Sequence, residues 1–440
     1  MNARPARVFQ IIGKRLLLTG LLVCTLFVCG TFAQPDVVKD ARYYSQKAIQ
    51  AYRLKDFAAY LENMKQAQRL RPDHPTYMYN LAGAYALNGK NAEAFAWLGR
   101  VARMGLSYPA SEDEDFESIK SLDEFKSILK VFEENNAPVS HSSLGFSLEE
   151  TGLVTEGLAY DPETETFYVS SIHKRKIISV NRKGEAHDFS GANDGLWSVQ
   201  GMKVDAKRHL LWVCTTAFPQ MMNFAEVDKN HTGVFKYDLK TGKLLKKYLL
   251  QDNTKGHAFG DLALHPSGDV YVTDSVTPAI YVISRQKDLL ELHTGPEPFS
   301  SPQGLDFSAD GKKMFIADYG RGIFVFDMKN KAFKKLEYPE TVSMLGIDGL
   351  YFYRGNIITI QNGIRPHRVV RWILNKAMDR VERSEVIEAN NPQFDEPTLG
   401  VIVKDDFYYI ANSQWESVNQ QGQLAPSEKL RKPLVLKAKL

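Results

Sequence analysis

The sequence predicts an all-β six-bladed β-propeller preceded by an α-helical domain. Three observations point there. One short phrase recurs six times between residues 156 and 413: an x-Gly-Leu turn leads an apolar strand, a Pro/Asp/Gly turn follows, and a second β-branched and aromatic strand ends in polar residues. The copies lie roughly 43 to 60 residues apart, a period that for strand-type units marks a propeller rather than an open sheet. Before residue 137 strand alternation is missing, and apolar residues recur at helical spacing instead.

The first element is an apolar leader. Arg4, Arg7, Lys14 and Arg15 form a basic region, Leu16 to Phe32 is an apolar run, and Thr31-Phe32-Ala33 has the small-x-Ala form of a cleavage site. Residues 1–33 therefore read as a signal peptide. The run of about 17 residues is also just long enough for an uncleaved anchor. Either reading puts the rest of the chain outside the cytoplasm, periplasmic or secreted, with a membrane partner only if the leader stays. Cys24 and Cys29 lie in this leader, which leaves Cys214 alone after cleavage and no internal disulfide to form.

The bulk composition is neutral. Lys and Arg total 55 against 52 Asp and Glu, a formal charge of +3 over 440 residues. That balance gives no footing for a nucleic-acid partner.

Residues 37–136 form the helical domain. The stretches AIQAYRLKDFAAYLENMKQAQRLRPDHP and NLAGAYALNGKNAEAFAWLGRVARMGL align at an offset of about 33, each a helix, a polar turn and a second helix. Period and Ala/Tyr/Gly pattern resemble tetratricopeptide repeats, and that resemblance implies either a protein-binding groove or a plain spacer. DFESIKSLDEFKSILKVFEENN (115–136) reads as a capping helical pair, Ser111–Asp115 as a solvated acidic turn, and 135–143 as a linker.

Residues 140–440 form the propeller. The copies are EGLAYDPETETFYVSS (156–171), QGMKVDAKRHLLWVCTT (200–216), GDLALHPSGDVYVTDS (260–275), QGLDFSADGKKMFIADY (303–319), DGLYFYRGNIITIQN (348–362) and LGVIVKDDFYYIANS (399–413). A third strand follows each and a fourth follows most, which makes four antiparallel strands per blade. The sixth unit stops at its third strand. SSLGFSLE (142–149) is expected to supply the missing outer strand and close the ring, which removes two open sheet edges.

Antiparallel pairing sets the start of each first strand beside the end of the second. The starts Glu156, Gln200, Asp261, Gln303 and Asp348, with Glu396 upstream of Leu399, are thus expected on one face near the central channel. So are the second-strand ends Ser171, Thr215, Asp274, Asp318, Asn362 and Asn412. Converging hard oxygens suit Ca²⁺ or another hard divalent cation. For Asp274 and Asp318 the favoured reading is a turn cap. For Glu156 and Asp348 it is the site.

EGLAYDP, SPQGLDFSADG and GIDGLYF resemble the senescence-marker-protein/gluconolactonase/luciferin-regenerating-enzyme superfamily of six-bladed propellers, over roughly residues 145–440. The resemblance implies one divalent metal held by Glu156, Gln303 and Asp348, and a metal-polarised lactone carbonyl with Asp348 as base. Gln303 stands where that family has Asn. Asp261 matches the Asp of an N-D-G motif whose Asn is Gly260 here, and the family's substrate-binding Arg has no match. Asp261 is read as assisting the metal.

Around this core, His257 in GHAFGD is a second candidate acid/base. Asn362, Arg365 and His173 are candidate substrate contacts at the rim. Two insertions between second and third strands, 217–232 and 413–433, are expected to form a partly apolar lid. Serine-hydrolase, zinc-peptidase and phosphate-loop motifs are missing. The leading functional reading is an exported, metal-dependent lactone or ester hydrolase. The alternative is a non-catalytic binding scaffold of helical repeats and propeller.

Overall fold

In a computed structural model, residues 39–440 are described. The leader expectations fall outside them. No described helix is long and apolar enough to cross a membrane. Residues 40–440 pack as one unit.

Four helices form two antiparallel pairs: α1 (Ala41–Arg53) with α2 (Phe57–Leu70), and α3 (Pro75–Leu87) with α4 (Asn91–Arg103). Their starts are encoded locally. The Asp40 carboxylate accepts from the Tyr43 N–H at 2.8 Å, and Asp56 accepts from Ala59 at 3.0 Å, which satisfies amide donors that a helix start leaves open. Pro75 occupies the first turn of α3, where its missing N–H costs nothing. Small residues let the pairs approach closely: Ala48, Ala67, Ala82, Ala84 and Ala94 are fully buried. A 3₁₀ turn (Glu114–Ile119) and α5 (Asp123–Asn136) complete the domain.

The acidic stretch before Phe116 is a structural joint rather than the solvated turn expected from its charge. Tyr79 donates to Asp113 at 2.8 Å and Tyr52 donates to Asp115 at 2.7 Å. Burial raises the Asp115 carboxyl to about 6. Phe116 and Ile119, both fully buried, drag the acids against the helices.

The propeller has six antiparallel sheets. Blade one runs outward from Thr155–Asp161 through Thr166–Ser171 and Lys176–Val180 to Ala186–Asp188, and blades two to five repeat the order. In blade six, Gly400–Val403, Asp406–Ile410 and Leu434–Lys439 are joined by Ser143–Ser147, with Ser143 opposite Lys437 and Ser147 opposite Leu434. The ring closes as the sequence predicts. Blade five gains a fifth strand: Val139–Ser140 pairs with Val381–Ala389, and the buried Glu388 carboxylate accepts from the amides of His141 (2.6 Å) and Ser142. The segment expected to be a linker is thus bonded to a blade.

One irregularity shapes the site. In blades one to five the ladder between first and second strand shifts just before the Leu or Met of the phrase, as between Thr155 and Leu158 or Ile347 and Leu350. Such a bulge frees two residues from pairing and re-aims them. The glycine there permits close approach of the next blade: a Cβ on Gly157 would lie 2.2 Å from the Gln200 carbonyl oxygen.

The helical domain rests on blades four and five. Ile364 packs into the helical core, the Ser107 N–H donates to the Arg365 carbonyl at 3.0 Å, and Asp73 accepts from Lys335 and Tyr338 at 2.6 and 2.7 Å. The buried Arg368 guanidinium joins the two parts, donating to the Gln361 amide oxygen (2.7 Å) and to the Met104 (3.3 Å) and Ser343 (3.4 Å) carbonyls.

Candidate functional site

The bulged phrase starts line a cavity of about 200 Å³: Glu156, Gln200, Gly260, Asp261, Gln303 and Asp348 share its wall with Tyr319, Asn362 and Glu396. Phe218 and Trp415, one from each insertion, lie over it with ring centroids 6.0 Å apart, edge to face. The Trp415 indole N–H donates to Glu156 Oε2 at 2.8 Å. The two insertions thus meet above the channel, where their aromatic side chains find apolar cover.

The carboxyl groups perturb one another. Burial first, then the charge of Asp348, pushes Glu156 well above the ordinary carboxylate range, while the Trp415 N–H opposes the shift. Burial raises Asp348 to about 6, against the pull of the Asn362 amide. Asn362 Nδ2 donates to Asp348 Oδ2 at 2.7 Å and to the Pro397 carbonyl at 3.0 Å, and its oxygen accepts from Tyr319 at 3.1 Å. Asn362 therefore orients Asp348. Glu396 reaches about 7, through burial and then the charges of Asp348, Asp395 and Glu416.

Asp261 differs from its neighbours. It is buried, its carboxylate is 3.2 Å from Lys203 Nζ, and Lys203 eases the rise that burial imposes. Gln303 donates from Nε2 to Ser301 at 3.2 Å. Gln200 is buried at the cavity wall, and its Nε2 is enclosed without a hydrogen-bond partner.

Three of the candidates, one acid/base and two rim contacts, lie elsewhere. The His257 imidazole is absent from the cavity wall: Nδ1 sits 2.5 Å from Asp274 Oδ2, and the side chain is 1% exposed. Its acid/base assignment gives way to a structural one, because Asp274 also accepts from the amides of Ala258, Val276 and Thr277 and so ties the turn together. His173 is buried, with Nδ1 2.7 Å from the Gln220 carbonyl; it anchors the first insertion instead of contacting the cavity. Arg365 is exposed beside His367, Nη1 to Nδ1 3.3 Å, and does not line the wall. Of the second-strand ends, Asn362 alone reaches the cavity. Asp318, like Asp274, is a cap, accepting from Ser300 and Ser301 amides at 2.6 and 2.8 Å.

Among the described residues no three His, Cys, Asp or Glu side chains gather at metal-ligand spacing. A set of two acids and one amide, Glu156, Asp348 and Gln303, needs no such triplet. Its chemistry fits a hard divalent cation: oxygen donors from a buried Glu156 and half-buried Gln303 and Asp348, with the two carboxyls pushed up by desolvation and then by neighbouring negative charge. Lys203 escaped the sequence reading as a member of the site; Glu396, expected beside the channel, carries no role in that reading. Glu396 stands three residues before its phrase in an irregular segment. Lys203 holds the fourth place of its phrase, a position whose occupants (Ala159, Lys203, Ala263, Asp306, Tyr351, Ile402) show their polarity only when the copies are stacked.

Residues 154–351 carry an SMP-30/Gluconolactonase/LRE-like region by match to that family model. The matched stretch holds Glu156, Gln303 and Asp348. No curated protein matches the sequence. Similar solved structures include a gluconolactonase from Xanthomonas campestris, at 13% identity and a TM-score of 0.45 over 69% of this chain and 96% of that one. A calcium-binding regucalcin from Agrobacterium tumefaciens has 15% identity and a TM-score of 0.47 over 68% and 93%. The PQQ-bound aldose sugar dehydrogenase of Streptomyces coelicolor has 15% and 0.47 over 69% and 99%.

Proposed function

We propose that this protein hydrolyses a small lactone or ester with the help of one divalent cation, Ca²⁺ first among the candidates, held by Glu156, Asp348 and Gln303. The observation that carries the reading is that Glu156 and Asp348 line one cavity and that both carboxyls are pushed up there. A cavity of about 200 Å³ falls below the roughly 300–1,000 Å³ typical of ligand pockets, so the substrate is small. We place the protein outside the cytoplasm on the strength of its apolar leader.

A divalent cation would polarise the substrate carbonyl and lower the pKa of water. The chain's own residues supply the rest. Glu396, with a pKa of about 7, can take up and return a proton near neutral pH. Asn362 fixes the rotation of Asp348, Trp415 fixes that of Glu156, and Phe218 with Trp415 narrows the mouth.

Titration calorimetry of the chain from Gln34 with Ca²⁺, Mg²⁺, Mn²⁺ and Zn²⁺ tests the reading, beside Glu156→Ala and Asp348→Ala and followed by a lactone and ester panel. One-site binding lost in both variants, with turnover lost alongside, supports it. A wild type that binds no cation overturns it. The competing reading, a binding scaffold whose helical repeats take a protein partner, draws support from Gln303 and Gly260, which depart from the family's lactonase motifs. It predicts cation binding or none, and no turnover of any panel member.

A further inference from the structure

The channel carries its own cation. Lys203 projects from the inner strand of blade two, with Nζ 3.2 Å from Asp261 Oδ1 and 3.4 Å from Oδ2 in blade three. Its ammonium lies 5.4 Å from the ring centroid of Tyr351 in blade five, within cation–π range. It also moderates the charge of Asp306 in blade four, a half-buried residue whose carboxylate accepts from the Phe352 and Phe307 amides at 2.8 Å. One side chain therefore answers groups from three other blades. Room for the pair is built in: a Cβ on Gly201 would fall 2.4 Å from Asp261 Oδ1, so the adjoining phrase glycine is what admits the carboxylate.

A buried carboxylate with an ammonium at this distance is already neutralised. Asp261 is then a poor ligand for an added ion, because ligation would bring a divalent charge up against Lys203. Glu156, Asp348 and Glu396 have no such internal partner; among the described residues none of the three forms a salt bridge.

We propose that Lys203 is a built-in counter-ion that occupies the Asp261 end of the channel and confines any external divalent cation to the Glu156–Asp348 end. The proposal rests on the cation-binding part of the function proposed above, and replaces the sequence reading in which Asp261 assists the metal.

The test is Ca²⁺ calorimetry on the chain from Gln34 as wild type, Lys203→Met, and Lys203→Met/Asp261→Asn. The double variant removes one positive and one negative charge, so the net charge of the channel is unchanged. It is expected to bind one Ca²⁺ within about threefold of the wild-type affinity, because Asp261 is not a ligand. Lys203→Met alone exposes the Asp261 carboxylate, and is expected to bind Ca²⁺ at least tenfold more tightly or to take a second ion. A loss of tenfold or more in the double variant overturns the proposal. So does a single variant that folds and binds as wild type. If the single variant fails to fold without Ca²⁺, the double variant still decides. A wild type without any cation site defeats the hydrolase reading separately; Lys203→Met that then gains one site, lost again in the double variant, upholds the counter-ion role, and no gain refutes it.

Discussion

Replacing Glu396 with Gln should stabilise the cation-free protein above neutral pH. The carboxyl titrates at an ordinary 4.5 when free and at about 7 in the fold. A rise of that size corresponds to about 3 kcal/mol against the ionised form. The sign follows from proton linkage. The folded state holds the proton more tightly, so the stabilisation is complete below the unfolded pKa and is lost as pH rises through about 7. At pH 8 the wild type bears the cost of the buried charge, and the neutral amide does not. Water at the cavity mouth and relaxation around the charge reduce the difference, leaving about 1–3 kcal/mol. Urea unfolding in EDTA, followed by circular dichroism at pH 5 and pH 8, measures it. The expected result is similar stability of both proteins at pH 5 and a higher midpoint for Glu396→Gln at pH 8. A wild-type stability that is level from pH 5 to pH 8, or a variant no more stable at pH 8, would refute the claim that this carboxyl is forced to ionise in a hostile site.

Further predictions follow the same logic. Trp415→Phe removes the N–H that favours ionised Glu156, worth about 1 kcal/mol; the pH midpoint of Ca²⁺ binding should rise by roughly 0.7, read by calorimetry at several pH values. Gly157→Ala drives a Cβ to within 2.2 Å of the Gln200 carbonyl, so blades one and two must separate, at a cost of about 1–3 kcal/mol in urea unfolding. Arg368→Met leaves the Gln361, Ser343 and Met104 oxygens without their donor, which should cost about 1–3 kcal/mol and speed proteolysis near residues 104–109 while cation binding persists.

The propeller was legible because its phrase recurs six times and encodes the same local event in blades one to five. The x-Gly-Leu step marks where the ladder slips and where the neighbouring blade needs a residue without a Cβ. The same step fixes which residues face the channel, so Glu156, Gln303 and Asp348 could be gathered from sequence. Even the closing strand at 143–147 could be read, since a unit lacking its outer strand calls for one. What could not be read is set by distant partners. His257 and His173 look like rim residues until Asp274 and the Gln220 carbonyl claim their rings. Asp113 and Asp115 look solvated until Tyr79 and Tyr52, more than 30 residues away in sequence, reach them. Lys203 sits in a strand with nothing nearby in sequence to announce Asp261.

The joining of Ser143 to Lys437 also orders events during synthesis. Nearly 300 residues separate the two strands, and ribosomes add about 5–20 residues per second. The earlier strand therefore waits roughly 15 to 60 seconds for its partner, after the helical domain and the first five blades have had time to assemble. Through that interval the nascent protein is an open arc with two unsatisfied edges, and Leu144 has no blade beside it. Ribosome-arrested chains that stop short of residue 434 should be cut by protease around 143–147, and chains that include 434–439 free of the exit tunnel should resist.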